Sequence, residues 1–139
     1  MFAKTFRLAW AAPCSLLGLF AAALIVLLGG KAVISAGVLE VTYRERLQSC
    51  GRLAAQLPFR GIVFGHVILA VIRQELLQIG PHERVHVEQY ARWGLFFFPA
   101  YAVSSAWQLL HGRSAYWHNH FEVQARLLAG KTHRTNGGV

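Results

Sequence analysis

The stretch PHERVHVEQYARWG, Pro81 to Gly94, holds the pentad His82-Glu83-Arg84-Val85-His86, which has the form HExxH. Residues four apart on a helix project from one face, so this spacing predicts a helix over Pro81 to Trp93 with two imidazoles side by side. Pro81 suits the first turn of such a helix, where its missing N–H costs nothing. Two imidazole nitrogens can bind one ion at about 2.0 to 2.1 Å, and Glu83, one step round the helix, can accept a proton from a water activated there. The pentad alone is a loose pattern, because a chain with seven histidines can also carry it on a solvated helical face. A metal site therefore needs a third ligand.

Downstream candidates for that ligand are His111, His118, His120 and Glu122. Glu122 falls in NHFEVQA, an Asn-x-x-Glu-x-x-Ala pattern that opens a second helix-like segment, 36 residues after His86. A set of His82, His86 and Glu122 leaves a fourth position for water and is an open, catalytic arrangement. Addition of His118 or His120 would close it into a structural one. A donor that steadies charge developing on an oxygen beside the metal would come from Tyr116, His118 or His66. Each has a plainer role as well: an interface aromatic, a surface residue, and a strand histidine bonded to a backbone carbonyl.

Working outward from the pentad, FRGIVFGHVILAVI within Phe59 to Ile72 is β-branched and apolar and predicts one buried strand, with Gly65 as a bulge or a close approach. If that strand is a sheet edge, an extended peptide can add to it and lie across the metal. RQELLQIG then takes helical spacing, punctuated by Gly80-Pro81. Further upstream, Ala32 to Tyr43 alternates around Gly37 and predicts a hairpin, and Leu47 to Leu57 predicts a helix stopped by Pro58. Leu8 to Gly30 carries no charge over 23 residues, enough for a transmembrane helix; a cleaved signal peptide is the competing reading. Lys4 and Arg7 precede it and Lys31, Arg44, Arg46 and Arg52 follow it, which favours a cytoplasmic C-terminal part.

Past the pentad helix, Trp93 to Leu110 is a further 18 residues without charge. It reads equally as a second membrane segment kinked at Pro99, as a helix lying in the membrane interface, or as a core helix. The tail from Lys131 is polar and ends in glycine, which predicts fraying.

Composition sets the surroundings. Hydrophobic residues reach 55% and charged ones only 14%, with a net charge of +8, which favours an anionic lipid surface over nucleic acid. The basic residues are scattered and accompany no nucleic-acid-binding spacing. All six acids are glutamate, which excludes a Ser-His-Asp triad and an aspartic dyad. Cys14 and Cys50 form no CxxC pair and no disulfide framework.

HERVHVEQYARWG, FFFPAY and AYWHNHFEVQAR together resemble a family of small, uncharacterised bacterial membrane-associated proteins that carry gluzincin-type zinc metallopeptidase motifs. FGHVI, LAWAAPCSLLGL and GVLEV extend the resemblance over most of the chain, although only HExxHxxQ and NxxExxA are specific. The resemblance implies zinc held by His82, His86 and Glu122, with Glu83 as general base and Gln89 as the glutamine that follows the second histidine. Where the family commonly has Asp-Asn-Pro-Phe-Glu, this chain has His118-Asn119-His120-Phe121-Glu122.

The expectation is thus an α+β protein of one domain. Residues 1–30 form an N-terminal membrane anchor. Residues 31–130 form a zincin-like metal-binding domain, with short strands, a HExxH helix, an apolar and membrane-embedded or core segment at 93–110, and a Glu-bearing helix. Residues 131–139 form a flexible tail. The expected activity is peptide hydrolysis with Zn2+ at a bacterial inner membrane, with lipid and a polypeptide substrate or membrane-protein partner. The alternative is a non-enzymatic accessory subunit with a structural or vestigial metal site.

Overall fold

The computed structural model describes residues 2–44 and 60–136. They form a mixed α+β fold with an N-terminal apolar helix, a four-stranded sheet and C-terminal helices, the class the sequence predicts. Strands β1 (Lys31–Ser35) and β2 (Val38–Arg44) make the expected hairpin. Its turn residues, Ala36 and Gly37, have φ of 49° and 79°, the two positive angles a two-residue type I′ turn requires.

The run from Phe59 to Ile72 departs from the single strand predicted for it. It contains a second hairpin, β3 (Gly61–Phe64) and β4 (Val67–Ile72), joined by Gly65 and His66. Both strands are apolar and β-branched, so hydropathy alone runs through the turn without a break, and only Gly65, at φ 59°, marks it. The sheet order is β1-β2-β4-β3, with β2 and β4 parallel in the register Leu39↔Val67 and Glu40↔Ile68. Among the described residues this leaves β1 and β3 as the edges.

Strand alternation divides the sheet into two faces. Leu39, Val41, Val67 and Leu69 pack against helix α1 (Phe2–Leu27), where they meet Ala22 and Ile25. Val38, Val63, Ile68 and Ala70 pack on the other side with Leu76 and Val87 of helix α2 (Arg73–Trp93). Helix α1 presents a stripe of small residues, Ala11, Cys14, Gly18 and Ala22, at helical spacing. A Cβ on Gly18 would lie 2.8 Å from the Cβ of Val67, closer than side chains pack, so the helix can sit this near only with glycine there. Gly65 comes equally close to Ser15, whose hydroxyl accepts a 3.1 Å hydrogen bond from the His66 N–H, as the expectation of a close approach anticipates.

Helix α2 is continuous through Gly80-Pro81, where the sequence predicts a break. Proline at that point removes the hydrogen bond to the carbonyl of Leu77, and Leu77 is exposed, so water can take the bond's place. Ionic contacts add to the apolar packing that seats α2 on the sheet. Arg84, the third residue of the pentad, donates to buried Glu40 of β2 at 2.5 Å and to the Ser35 hydroxyl at 3.0 Å, while Arg73 reaches Glu40 at 3.5 Å.

After a 3-10 turn at Gly94–Phe96 come α3 (Phe97–Leu110) and α4 (His120–Asn136). Helix α3 has 14 residues and is about 21 Å long at 1.5 Å per residue, short of the roughly 30 Å of a bilayer core. Its inner side supplies Phe97 and Tyr101 to an aromatic cluster with Tyr90 and Phe121, in which the Phe97 and Tyr90 rings lie 4.3 Å apart. Its outer side leaves Val103, Trp107 and Leu110 exposed. Helix α4 continues past Lys131 to Asn136, so the tail predicted to start at Lys131 is helical over its first six residues. The helix predicted for Leu47 to Leu57, and Pro58, lie outside the described residues.

Candidate metal centre

Two helices bring the centre together. His82 and His86 lie on one face of α2, and Glu122 lies in the first turn of α4. The start of α4 is set by Asn119, which is fully buried. Its side-chain carbonyl accepts the N–H of Phe121 at 2.9 Å, an N-cap bond, while its amide donates to the Tyr101 carbonyl at 3.1 Å and the Ser105 hydroxyl at 2.7 Å. The asparagine of NxxExxA thus holds the helix terminus against α3 and aims Glu122 at α2.

The Nε2 atoms of His82 and His86 stand 3.1 Å apart, and they lie 3.1 and 3.3 Å from the two carboxylate oxygens of Glu122. Ligand atoms about 2.1 Å from a tetrahedral ion are about 3.4 Å from one another, so this spacing is that of a ligand set. The three residues offer atoms within 4.8 Å of one another, a group that can hold a metal ion.

Gln89 decides which nitrogen of His86 faces the centre. Its amide donates to the Phe121 carbonyl at 3.1 Å and to Gln124 Oε1 at 2.8 Å, which fixes Gln89 Oε1 as the atom turned to His86 Nδ1, 2.8 Å away. An oxygen can only accept, so His86 Nδ1 carries a proton and Nε2 is the nitrogen turned to the centre, where it bonds to Glu122 when protonated and can offer its lone pair to a metal when not. This is the outer support that metal-binding histidines ordinarily have, and it ties the second ligand to the helix that bears the third.

Glu83 is buried beside this group, and Gly61 at the start of β3 leaves it room: a Cβ there would lie 3.2 Å from Glu83 Oε1. Burial pushes the Glu83 carboxyl above its ordinary range, and Glu122 adds to this, while the imidazoles of His86 and His82 pull the other way and do not cancel it. For Glu122, burial also acts upward, but hydrogen bonds from His82 and His86 outweigh it and hold the carboxylate well below its usual range. Burial alone would lower His86; the hydrogen bond and charge of Glu122, with the Gln89 hydrogen bond and the charge of Glu83, together outweigh it and raise His86.

A cavity of about 440 Å³ opens at the group, walled by β3 through Gly61, Ile62 and Val63 and across from it by Phe98, Ala102 and Tyr116. Tyr116 therefore faces the candidate site. His118 and His120 do not: both are exposed and stand outside the converging set, and the His120 N–H is engaged by the Ser104 hydroxyl. His66 sits in the β3–β4 turn beside Ser15, and His111 at the end of α3 contacts the Trp107 carbonyl. Sequence reasoning missed Tyr101, whose hydroxyl donates to Glu122 Oε1 at 2.9 Å. Within the aromatic run FFFPAY nothing separates it from a lipid-facing tyrosine; only its place on α3's inner side does.

The fold and the cluster together define a mixed α+β protein with a His82/His86/Glu122 group able to hold a metal ion. In comparisons with known proteins, no family model, no curated protein and no solved structure matches the chain.

Proposed function

We propose that this chain is a membrane-associated, zinc-dependent metallopeptidase. The observation that carries the reading is the buried Glu83 carboxyl set beside His82, His86 and Glu122, in a cavity walled by the free edge of a sheet. Two imidazoles and one carboxylate, with Gln89 behind His86, are a donor set that suits zinc, and a metal analysis separates zinc from iron, cobalt or nickel. When bound, zinc supplies Lewis acidity that polarises a carbonyl and brings a water's pKa toward about 7.

The residues of the chain have distinct tasks in this reading. Glu83 takes the proton of the attacking water and returns it to the leaving amine, and its raised pKa brings it toward the neutral range a general base and acid needs. Strand β3, an edge strand among the described residues, holds an extended polypeptide by main-chain hydrogen bonds. Tyr116, on the opposite wall, donates to the oxygen that becomes negative as the carbonyl is attacked. Tyr101 positions Glu122 through the oxygen it holds.

The alternative, a non-enzymatic accessory subunit with a structural or vestigial metal site, would in its structural form take a fourth protein ligand, and the exposed positions of His118 and His120 do not supply one. The test is metal content together with Glu83→Gln. Purified protein should carry about one zinc per chain, and the variant should keep the metal while cleavage of an unfolded polypeptide falls by about 10²- to 10⁴-fold. Undiminished cleavage by the variant refutes the assignment.

A further inference from the structure

Helix α1 is apolar enough to cross a membrane, with a mean hydropathy of 2.1 over Ala9–Leu27, yet its packing argues against that pose. Gly18 and Ala22, near the middle of that span, are pressed onto Val67, Phe64 and Val41 of the sheet, and Gly30 meets the carbonyl of Thr42. Since Lys31 pairs with Thr42 and Ile34 with Leu39, β1 runs back along α1 from the level of its C-terminal end to about the level of Gly18. Were α1 to stand across the bilayer, the outer edge of β1, which no other strand among the described residues covers, would lie at the depth of the acyl chains. So would the ionic group of Glu40, Arg84 and Arg73 on the far face of the same sheet. Hydrocarbon offers no partner for open strand edges, and spanning structures avoid them.

The opposite side of α1 is a continuous apolar ridge that includes Leu17, Phe20, Leu24 and Leu27, all exposed. On its flank α1 meets the 3-10 turn that leads into α3: the Trp10 and Phe96 rings lie 5.9 Å apart, and on the sheet side Phe64, which packs against α1, lies 6.3 Å from Phe98 of α3. At the N-terminal end of α1 the exposed aromatics Phe6 and Trp10 stack on each other, and Arg7 beside them reaches Glu88 at 3.8 Å, a mix of aromatic and charged groups that suits a headgroup layer. The net charge of +8 favours an anionic one.

We infer that the protein lies on one leaflet rather than through the bilayer, with α1 and the outer side of α3 sunk side by side into the interface of an anionic membrane. Helices of this kind bury one apolar face about 5 to 10 Å deep and keep the other on protein. Phe98 and Ala102 belong both to α3 and to the cavity wall, so the mouth of the metal-centre cavity opens beside the lipid surface. The inference concerns location and does not depend on the peptidase reading: if Glu83→Gln leaves cleavage intact, the docking geometry is untouched.

The experiment is cysteine accessibility in sealed, inside-out membrane vesicles from cells that express the full chain. In a background with Cys14→Ala and Cys50→Ala, single variants Thr5→Cys and Ile34→Cys place thiols in the first turn of α1 and beyond its C-terminal end, both at exposed positions. With a membrane-impermeant maleimide, both thiols should react, or both should stay protected until detergent is added. One reactive and one protected thiol would show a spanning helix and overturn the inference, as would recovery of the chain in the soluble fraction. A third variant, Val103→Cys carrying an environment-sensitive fluorophore, should shift to the blue on phosphatidylglycerol-containing vesicles. Emission that stays at its value in water would remove α3 from the interface and overturn the paired-helix geometry.

Discussion

Both faces of the sheet are packed with apolar side chains, and only the face toward α2 adds a polar network to them. Toward α1 the buried side chains are Leu39, Val41, Val67 and Leu69, seated by the closeness of small residues such as Gly18 and Ala22. Toward α2, beside Val38, Val63, Ile68 and Ala70, the sheet carries Glu40, bonded to Arg84 and Arg73, and beyond it stand buried His86, Gln89 and Glu122, joined through His86, with Glu83 buried beside them. Apolar packing fixes the first side without directional bonds and tolerates substitutions that conserve volume. A polar network behaves otherwise, because removal of one member leaves its partners buried and unpaired. The face that makes the fold and the face that carries the chemistry therefore fail in different ways.

The largest effect should come from the polar face. Glu122→Ala removes a ligand and leaves His82 and His86 without their common partner, so stoichiometric zinc binding should disappear while circular dichroism keeps its helical signal; retained one-to-one zinc in a titration would separate Glu122 from the centre. Next, Gln89→Leu releases the His86 ring and the strap to α4, and zinc affinity by competitive chelation should fall about 10- to 100-fold. An unchanged constant would show that Gln89 only fills space.

The apolar face should yield a stability effect with no chemical one. Gly18→Val forces a Cβ into Val67, and thermal unfolding in detergent should show a loss of about 1 to 3 kcal/mol, while zinc stoichiometry stays at one per chain. Tyr101→Phe is the smallest change. It deletes one hydrogen bond to Glu122, so zinc affinity should drop only by the several-fold that about 1 kcal/mol represents.

Acidity acts on the two sides unequally, since only one titrates. The folded pKa of His86 lies above 6.5, so its contribution to metal-free stability is complete below about that pH and is lost as pH rises through the raised value. Glu122 lies below its ordinary 4.5, so its contribution is present above that pH and lost as acid protonates it. Glu83, raised by burial, favours the folded state increasingly as pH falls through its own value. Zinc competes with the proton on His86, so affinity should climb as pH rises from 6 to 8, in a pH series of the same chelation assay. A flat series would place another group at the metal.

Much of this division was legible in the sequence, for physical reasons that differ by region. The pentad and NxxExxA were readable because ligand chemistry demands residue type and spacing together, and the structure sets His82 and His86 on one helix face with Glu122 opposite. The β1–β2 hairpin was readable from alternation around Gly37. The β3–β4 turn was not, because a strand apolar on both faces loses the period of two that would reveal its end. Continuity of α2 through Pro81 was hidden for another reason: the anchors that hold the helix straight, Arg84 and Arg73 on Glu40, are remote in sequence. Tyr101 and Asn119 act through three-dimensional neighbours and leave no local periodicity to read.

Zinc-edge X-ray absorption on the purified full chain tests the central claim most directly. The account predicts two imidazole nitrogens and two or three oxygens at about 2.0 to 2.2 Å, with one imidazole contribution lost in His86→Ala. A first shell of three or more imidazoles, a sulfur ligand, or no bound zinc at all would contradict it.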